Sequence, residues 1–400
     1  MINLRKDKNY LLACSYGPDS MALFDMLIKG NYKFSVAHIN YNLRPESIKE
    51  TEDLKLYCKK YKIDIYVKEN KRKITKNIEE NCREIRYKFF EKIYKKYDFD
   101  SLLVAHNEDD NIETYLMQHK RKNLVLFYGI SCKSSLFSME VIRPLLTSKK
   151  RDLMDYCKCN NVPFAIDSTN LQDAFLRNQI RHQIVEKLSD DERRLIIKEI
   201  ENKNNELDGM LRSVKEFKNN DVNSLLQIND QVFPYLINDL ARRNKMDCEV
   251  SSRLCNEIKK AIASSKPNVV VKIKRDYCFF KEYEHFRFDY LRPIEFSFIV
   301  NLGDVIDNDY FYFDTGINLE KRNLKKSDFP VTISNPKKGD EIKIKDYIVK
   351  LRRLFIDWKM PLSMRTRWPV IRDKNDTIVY VPRYQKDFDI NTASGFYVKI

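Results

Sequence analysis

Over residues 10–119 short apolar runs alternate with longer amphipathic ones, and few folds accommodate that pattern. Tyr10 to Ser15 (YLLACS), Phe34 to Asn40 (FSVAHIN) and Ser101 to His106 (SLLVAH) read as buried strands, with Ile63 to Lys68 as a further strand. Helices are predicted over Asp19 to Lys29, Ser47 to Lys62, Asn81 to Tyr97 and Asp109 to His119. In the third of these, Ile85, Phe89, Ile93 and Tyr97 lie along one stripe. Such strand–helix alternation implies an α/β fold: a parallel, Rossmann-like sheet covered by helices on both faces. Ligands of such sheets sit beyond the carboxyl ends of the strands.

Near residue 188 the pattern changes. Asp190 to Lys218 is highly charged, with apolar positions at Leu195, Ile196, Ile200, Leu207, Leu211 and Val214, and reads as one long helix. Helical character continues to residue 265, and from Asn268 short aromatic runs (NVVVKIKR, YCFFKEY, YFYFD) read as strands. A small α+β unit is expected to open at the Pro336-Lys-Lys-Gly-Asp340 turn. Three domains follow: an α/β domain over 1–188, a middle domain over 189–330 that is helical and then strand-rich, and a C-terminal domain over 331–400.

Charge suggests a partner. The chain carries 73 Lys and Arg against 58 Asp and Glu, a net +15. Its last 70 residues alone hold fifteen basic and eight acidic residues, so nearly half of the excess lies there. That concentration makes the C-terminal unit the expected grip on RNA backbone, because each phosphate contact releases counterions. With 43% hydrophobic residues global disorder is excluded. Nine cysteines, an odd number without a Cys-x-x-Cys pair, point to reduced thiols. No apolar leader and no membrane-length apolar run occurs, so a cytoplasmic protein with no membrane partner is expected.

Ser15-Tyr16-Gly17-Pro18-Asp19-Ser20 falls between the first strand and the first helix. Backbone N–H groups at such a turn point ahead of the helix, where the dipole favours an anion. Gly17 lets a phosphate approach, Ser15 and Ser20 can add hydroxyl donors, and Asp19 beside phosphate calls for Mg²⁺. The plainer reading is a helix cap with Pro18 in its first turn. After the fourth strand, Asp109, Asp110 and Glu113 place carboxylates on one helical face. They suit holding a cationic amine, ligating Mg²⁺ or taking a proton from an attacking amine, or they are acids favoured at a helix start. Arg177 and Arg181, four apart, suit phosphate, or pair with neighbouring acids; Arg83 and Arg86 carry the same two readings. Lys71-Arg-Lys73 and Lys149-Lys-Arg151 read as solvated surface.

Together these segments resemble a known family. The loop resembles the Ser-Gly-Gly-x-Asp-Ser loop of the PP-loop ATP pyrophosphatases, with Tyr16 in place of the first glycine. A side chain there requires either a negative φ at Tyr16 or a phosphate held farther from it. His38-Ile-Asn-Tyr41-Asn-Leu-Arg44, Arg83-Glu-Ile-Arg86-Tyr87, His106 to Thr114, Ile142 to Leu146, Asp167 to Asn170 and Arg177-Asn178-Gln-Ile-Arg181-His182 resemble, in order, motifs of the tRNA(Ile)-lysidine synthetases. Gly339-Asp340 and the Leu351 to Asp357 run with Arg352 and Arg353 resemble that family's terminal domain. Tyr41 replaces a histidine, and Arg121-Lys-Asn123 stands where the family has Arg-Gly-Ser-Gly.

The resemblance implies an ATP-binding PP-loop domain with Ser15, Tyr16, Gly17, Pro18, Asp19, Ser20 and His38 at ATP, and Asp19 on Mg²⁺. It also implies catalytic roles for Asp110, Glu113, Arg177 and Arg181. His106, Asp109, Arg83, Arg86, Asn178, Arg352 and Arg353 would contact free L-lysine or tRNA(Ile) with a CAU anticodon. The implied reaction adenylates cytidine 34 and then ligates lysine to its C2, changing AUG reading to AUA. Two alternatives stay open: another PP-loop tRNA-modifying enzyme, and a non-catalytic RNA-binding protein.

Overall fold

A computed structural model describes residues 2–42, 45–70, 78–121, 124–165, 176–246, 249–291, 295–385 and 395–399. Arg44, Lys71 to Lys73 and Asp167 to Asn170 lie outside the described residues. The chain divides into two units, Met1–Gly209 and Met210–Ile400.

The first unit is the expected α/β layer structure. Its elements are β1 (Asn9–Ala13), α1 (Pro18–Lys29), β2 (Lys33–Asn40), α2 (Glu46–Lys60), β3 (Ile65–Glu69), α3 (Ile78–Lys96), β4 (Ser101–Val104) and α4 (Glu108–Arg121). They continue with β5 (Lys133–Leu136), β6 (Met139–Ile142), α5 (Lys150–Cys159), α6 (Leu176–Gln183) and α7 (Asp190–Glu216), the last running on into the second unit. The strand order is β3-β2-β1-β4-β6-β5, parallel throughout except for the β5–β6 hairpin.

β1 shows why the first apolar run is continuous. Tyr10 and Leu12 enter one core with Met21, Phe24 and Leu27 of α1 and Leu54 of α2. Leu11 faces the opposite core with Tyr87, Phe90 and Ile93 of α3. A strand buried on both faces needs no polar alternation. The crevice between the carboxyl ends of β1 and β4 is where the strand order reverses, with β2 and β3 on one side and β4 to β6 on the other.

In the second unit, α8 (Val222–Leu226), α9 (Phe233–Arg243) and α10 (Ser252–Ala263) pack on an antiparallel sheet of β7 (Asn268–Lys274), β8 (Tyr277–Glu282) and β9 (His285–Tyr290). Phe233, Leu236, Ile258, Phe279 and Phe288 share that core. Downstream, β10 (Ser297–Val300), β11 (Val305–Asp307), β12 (Phe311–Asp314), β13 (Val331–Ser334), β14 (Glu341–Ile344) and β15 (Tyr347–Lys350) precede short helices α11 (Leu351–Asp357) and α12 (Leu362–Arg365). With β16 (Val370–Arg372), β17 (Ile378–Tyr380) and β18 (Phe396–Val398) they build two sheets, β10-β13-β16-β17-β14-β15 and β11-β12-β18. Trp368 is fully buried there and donates its indole N–H to the Pro382 carbonyl at 2.7 Å. No described helix is long and apolar enough to cross a membrane.

Leu12→Ala removes a fully buried side chain from the sheet's central strand. It is expected to destabilise the first unit by about 2–5 kcal/mol, read as faster amide exchange across β1 and β4 in denaturant.

Candidate active site

β1 ends at Ala13 and α1 starts at Pro18, so Cys14 to Gly17 make the strand-to-helix turn. The buried Ser20 hydroxyl staples it, accepting from the Ser15 N–H (3.2 Å) and donating to the Gly17 carbonyl (3.0 Å). Ser15 Oγ lies 3.3 Å from Ser20 Oγ. Ser20 therefore holds the loop's shape, where the sequence suggested a donor to ligand. The N-cap of α1, Gly17, offers no side-chain cap, so the first-turn N–H groups, which lack intrahelical acceptors, suit an anion. Gly17 has φ −78°, which any residue adopts, and a Cβ there would meet only Ser15 Oγ at 3.4 Å. The fold itself does not demand glycine here; the open space suits a ligand that comes close to the backbone.

Tyr16 takes the left-handed conformation, φ 66°, so the negative-φ alternative does not hold. Its ring is buried in the core of α1 and α2, and its carbonyl accepts from the Ala165 N–H at 2.9 Å.

Beyond the strand ends lies a cavity of about 190 Å³ whose lining includes Ser15, Asp19, Ser20, Tyr41, Arg86 and His106. Asp19 Oδ1 is buried with no hydrogen-bond partner among the described residues. Burial, and then the charge of Asp110, push the Asp19 carboxyl up to about 6. A cation beside that oxygen would reverse both effects, so Asp19 fits Mg²⁺. Among the described residues no group of three His, Cys, Asp or Glu could hold a metal ion. One carboxylate with substrate phosphates is an ordinary Mg²⁺ arrangement. His106 Nδ1 accepts from Arg143 Nε at 3.1 Å. Burial, and then the Arg143 charge, pull its imidazole down to about 3, so it is neutral with its proton on Nε2.

The acidic helix start and the two arginines meet. Asn107 and Asp110 cap α4 reciprocally, Asp110 N–H to Asn107 Oδ1 at 3.0 Å and Asn107 N–H to Asp110 Oδ2 at 3.1 Å. Arg177 donates Nε to Glu113 Oε2 and Nη2 to Asp110 Oδ1, both at 2.8 Å. Arg181 donates Nε to Glu113 Oε1 at 2.5 Å and Nη2 to Glu113 Oε2 at 3.0 Å. Burial opposes the Arg177 charge, and Asp110 with Glu113 outweighs it, so that guanidinium is held above its ordinary pKa. Arg181 behaves alike through Glu113. Ion pairing, the plainer of the two sequence readings for these arginines, is thus what the geometry shows. Glu113 is wholly buried, whereas the Asp110 side chain keeps some exposure.

Other expected residues separate. Asp109 is buried against Arg193 of α7, whose Nη1 lies 2.9 Å from Oδ1, and it braces helices instead of facing the cavity. His38 is buried, with Nδ1 2.9 Å from the Cys14 carbonyl and Nε2 3.1 Å from Thr51 Oγ1. Burial lowers its pKa, so it stands neutral between β1 and α2 and does not line the cavity. Arg83 and Arg86 are exposed on α3, their guanidiniums 4.9 and 5.7 Å from the Tyr87 ring centre, and Arg86 reaches the cavity. Asn178 lies on α6 beside Arg177. Arg352 and Arg353 are exposed on α11 in the second unit, with Arg353 paired to Asp357.

A family model described as a PP-loop domain matches residues 1–188, and one described as the TilS substrate C-terminal domain matches 331–395. A protein named tRNA(Ile)-lysidine synthase from Mycoplasma mycoides is 29% identical over 95% of this chain and 98% of its own length. Another of that name, from Mesomycoplasma hyopneumoniae, is 41% identical over 47% of this chain and 63% of its own. The chain thus carries both of the domains these models describe and is similar over nearly its whole length to a tRNA(Ile)-lysidine synthase.

The structure adds residues that sequence reasoning passed over. Lys149, Lys150 and Arg151 are not equivalent: Lys149 and Arg151 both pair with Asp190, at 2.8 and 2.7 Å. Lys150, the first residue of α5, makes no ion pair among the described residues and offsets part of the Asp19 shift. Cys157 Sγ, 3.4 Å from the Pro18 carbonyl, packs the same helix on the loop. The signal was available in the position of the run, directly after the Ile142 to Leu146 motif. Arg143, the partner of His106, lies inside the Ile142 to Leu146 motif but was given no role there, and Arg193, the partner of Asp109, carried no sequence pattern of its own.

Asp19→Asn removes a charge the fold disfavours. The penalty is absent below the ordinary value of 3.8, grows as pH rises toward about 6 and is complete above it. Without nucleotide the variant is expected to be more stable than wild type by about 1–3 kcal/mol near neutral pH, the gain vanishing near pH 4. Paired urea titrations at the two pH values check this.

Proposed function

We propose that this protein uses ATP to ligate free L-lysine to C2 of cytidine 34 in the CAU anticodon of tRNA(Ile), giving lysidine, AMP and diphosphate. The observation that carries the reading is the orphaned, buried Asp19 oxygen beside an uncapped helix start. It supplies a place for a cation and a polyphosphate, in a chain whose relatives bear the lysidine synthase name.

The α1 N–H groups and Lys150 hold the pyrophosphate part of ATP. Mg²⁺, held by Asp19 and the phosphates, would supply positive charge there. The C2 oxygen of cytidine 34 attacks the α-phosphorus and the bond to pyrophosphate breaks. The lysine side-chain amine then attacks C2, AMP leaves and one proton is released. An ammonium is not a nucleophile, so the amine must lose a proton first. Asp110 is the acid suited to that task, being partly exposed, whereas Glu113 is enclosed by both guanidiniums and fixes them. When the amine engages Asp110, Arg177 Nη2 gives up that contact and is available to phosphate. His106, neutral with an N–H to donate, suits a base or sugar oxygen. The exposed guanidiniums of Arg83 and Arg86 suit RNA phosphate.

Incubation with ATP, labelled lysine and tRNA(Ile) transcript should release AMP and label the RNA; no AMP and no label from folded protein rejects the reading. Asp110→Asn is expected to lower lysine incorporation by about 100-fold or more while ATP-dependent diphosphate release persists. Lys150→Met should raise the KM for ATP about tenfold at unchanged thermal stability; an unchanged KM removes Lys150 from the phosphate site.

A further inference from the structure

Between β12 and β13 the chain makes two 3-10 turns, Glu320–Arg322 and Lys326–Asp328. Their side chains divide sharply between inside and outside. Leu324 is buried in the core of the β-rich part and Leu319 packs against it. Arg322 is also buried, and its Nη1 donates to the carbonyls of Ile317 (3.2 Å) and Asn318 (3.0 Å). Asn323 closes the first turn in the left-handed conformation, φ 54°. The Asp314 carboxylate takes the Gly316 N–H at 2.7 Å, and the Asp328 carboxylate takes the Lys325 N–H at 2.7 Å. Gly395 lies so close that a Cβ there would sit 2.7 Å from the Ile317 carbonyl. The segment is thus fixed from beneath by one buried guanidinium, two leucines and a tight backbone approach.

What remains outside is cationic. Lys321, Lys325 and Lys326 are exposed around a cleft of about 650 Å³, with Glu320 the one carboxylate among its described lining residues. None of the three lysines makes an ion pair among the described residues, while exposed lysines elsewhere, such as Lys55 and Lys95, do. The segment lies outside both matched domains, 1–188 and 331–395. A cleft of that volume exceeds one phosphate group, and unpaired ammoniums within six residues fit a run of phosphates better than a single small anion.

We propose that this cleft binds RNA backbone, with Lys321, Lys325 and Lys326 each meeting a phosphate of the tRNA substrate. This rests on the reading that the substrate is a tRNA. The contact is positional: it supplies affinity and register and reads no base.

The test is a tRNA(Ile) binding titration at several KCl concentrations, comparing wild type with the triple variant Lys321→Gln, Lys325→Gln, Lys326→Gln. Counterion release predicts that the slope of log affinity against log salt falls by about 2–3, with affinity about tenfold weaker at moderate salt. ATP binding by the same variant should be unchanged, and the triple Lys→Arg variant should bind as wild type does. Equal affinity and slope for wild type and the Gln variant overturn the cleft assignment while leaving the substrate reading intact. Wild-type protein that binds no tRNA overturns both.

Discussion

Four carboxylates crowd the first turns of α4, and the first unit is arranged around neutralising them. Glu113 has no solvent exposure and is enclosed by Arg177 and Arg181; Asp109 is buried against Arg193, which also reaches Glu108 at 3.3 Å. A buried carboxylate without a partner costs several kcal/mol, roughly 3–5 when one side of an existing pair is lost. The chain from 176 to 193 must therefore return to α4 with its arginines in register. That return fixes α6 and the start of α7 beside the strand ends, so α4 acts as the electrostatic anchor of the crevice.

Because those acids are matched, the unmatched groups gain meaning. Asp19 keeps one buried oxygen without a partner although Asp110 stands near enough to raise its pKa. Lys150 is the cation of its run that Asp190 does not claim. An orphaned acid and an unclaimed lysine beside a helix start are a poor arrangement for a structural surface and a good one for a magnesium–polyphosphate. The acid–arginine cluster is the preorganised part, and the unmatched acid and lysine are the groups that a cation and an anion would satisfy.

Much of this was legible in the sequence, for reasons particular residues show. Strands such as Leu11–Leu12 and Leu102–Leu103 are buried on both faces, so their runs stood out, and each helix between them carried a clear stripe. The β5–β6 hairpin was not read, because its turn places Phe137 and Ser138 at φ 49° and 61° where Asn-Gly would have signalled it. Candidate residues from contiguous motifs, Asp19, Asp110, Glu113, Arg177 and Arg181, come together in space. Which are free and which are paired was not legible: spacing along a helix states that two guanidiniums share a face, not that Glu113 lies beneath both. His38 and Asp109 show the same limit, since burial and hydrogen-bond partners come from other elements.

Tyr16 shows how a glycine-poor chain still builds a glycine-like loop. With eight glycines in the chain, left-handed turns fall to other residues, seventeen described non-glycine positions against four glycines. Such a conformation costs a bulky residue about 1–2 kcal/mol. At Tyr16 the buried ring contributes about 2–3 kcal/mol of apolar burial in the opposite direction, and the Ala165 N–H bond pins the carbonyl. The backbone path of a glycine is kept while the side chain anchors it to the core, turned away from the crevice where Gly17 leaves its opening. The loop's shape is then set by packing and by the Ser20 staple, and chain flexibility has little part in it. A phosphate arriving there would meet amides already in position.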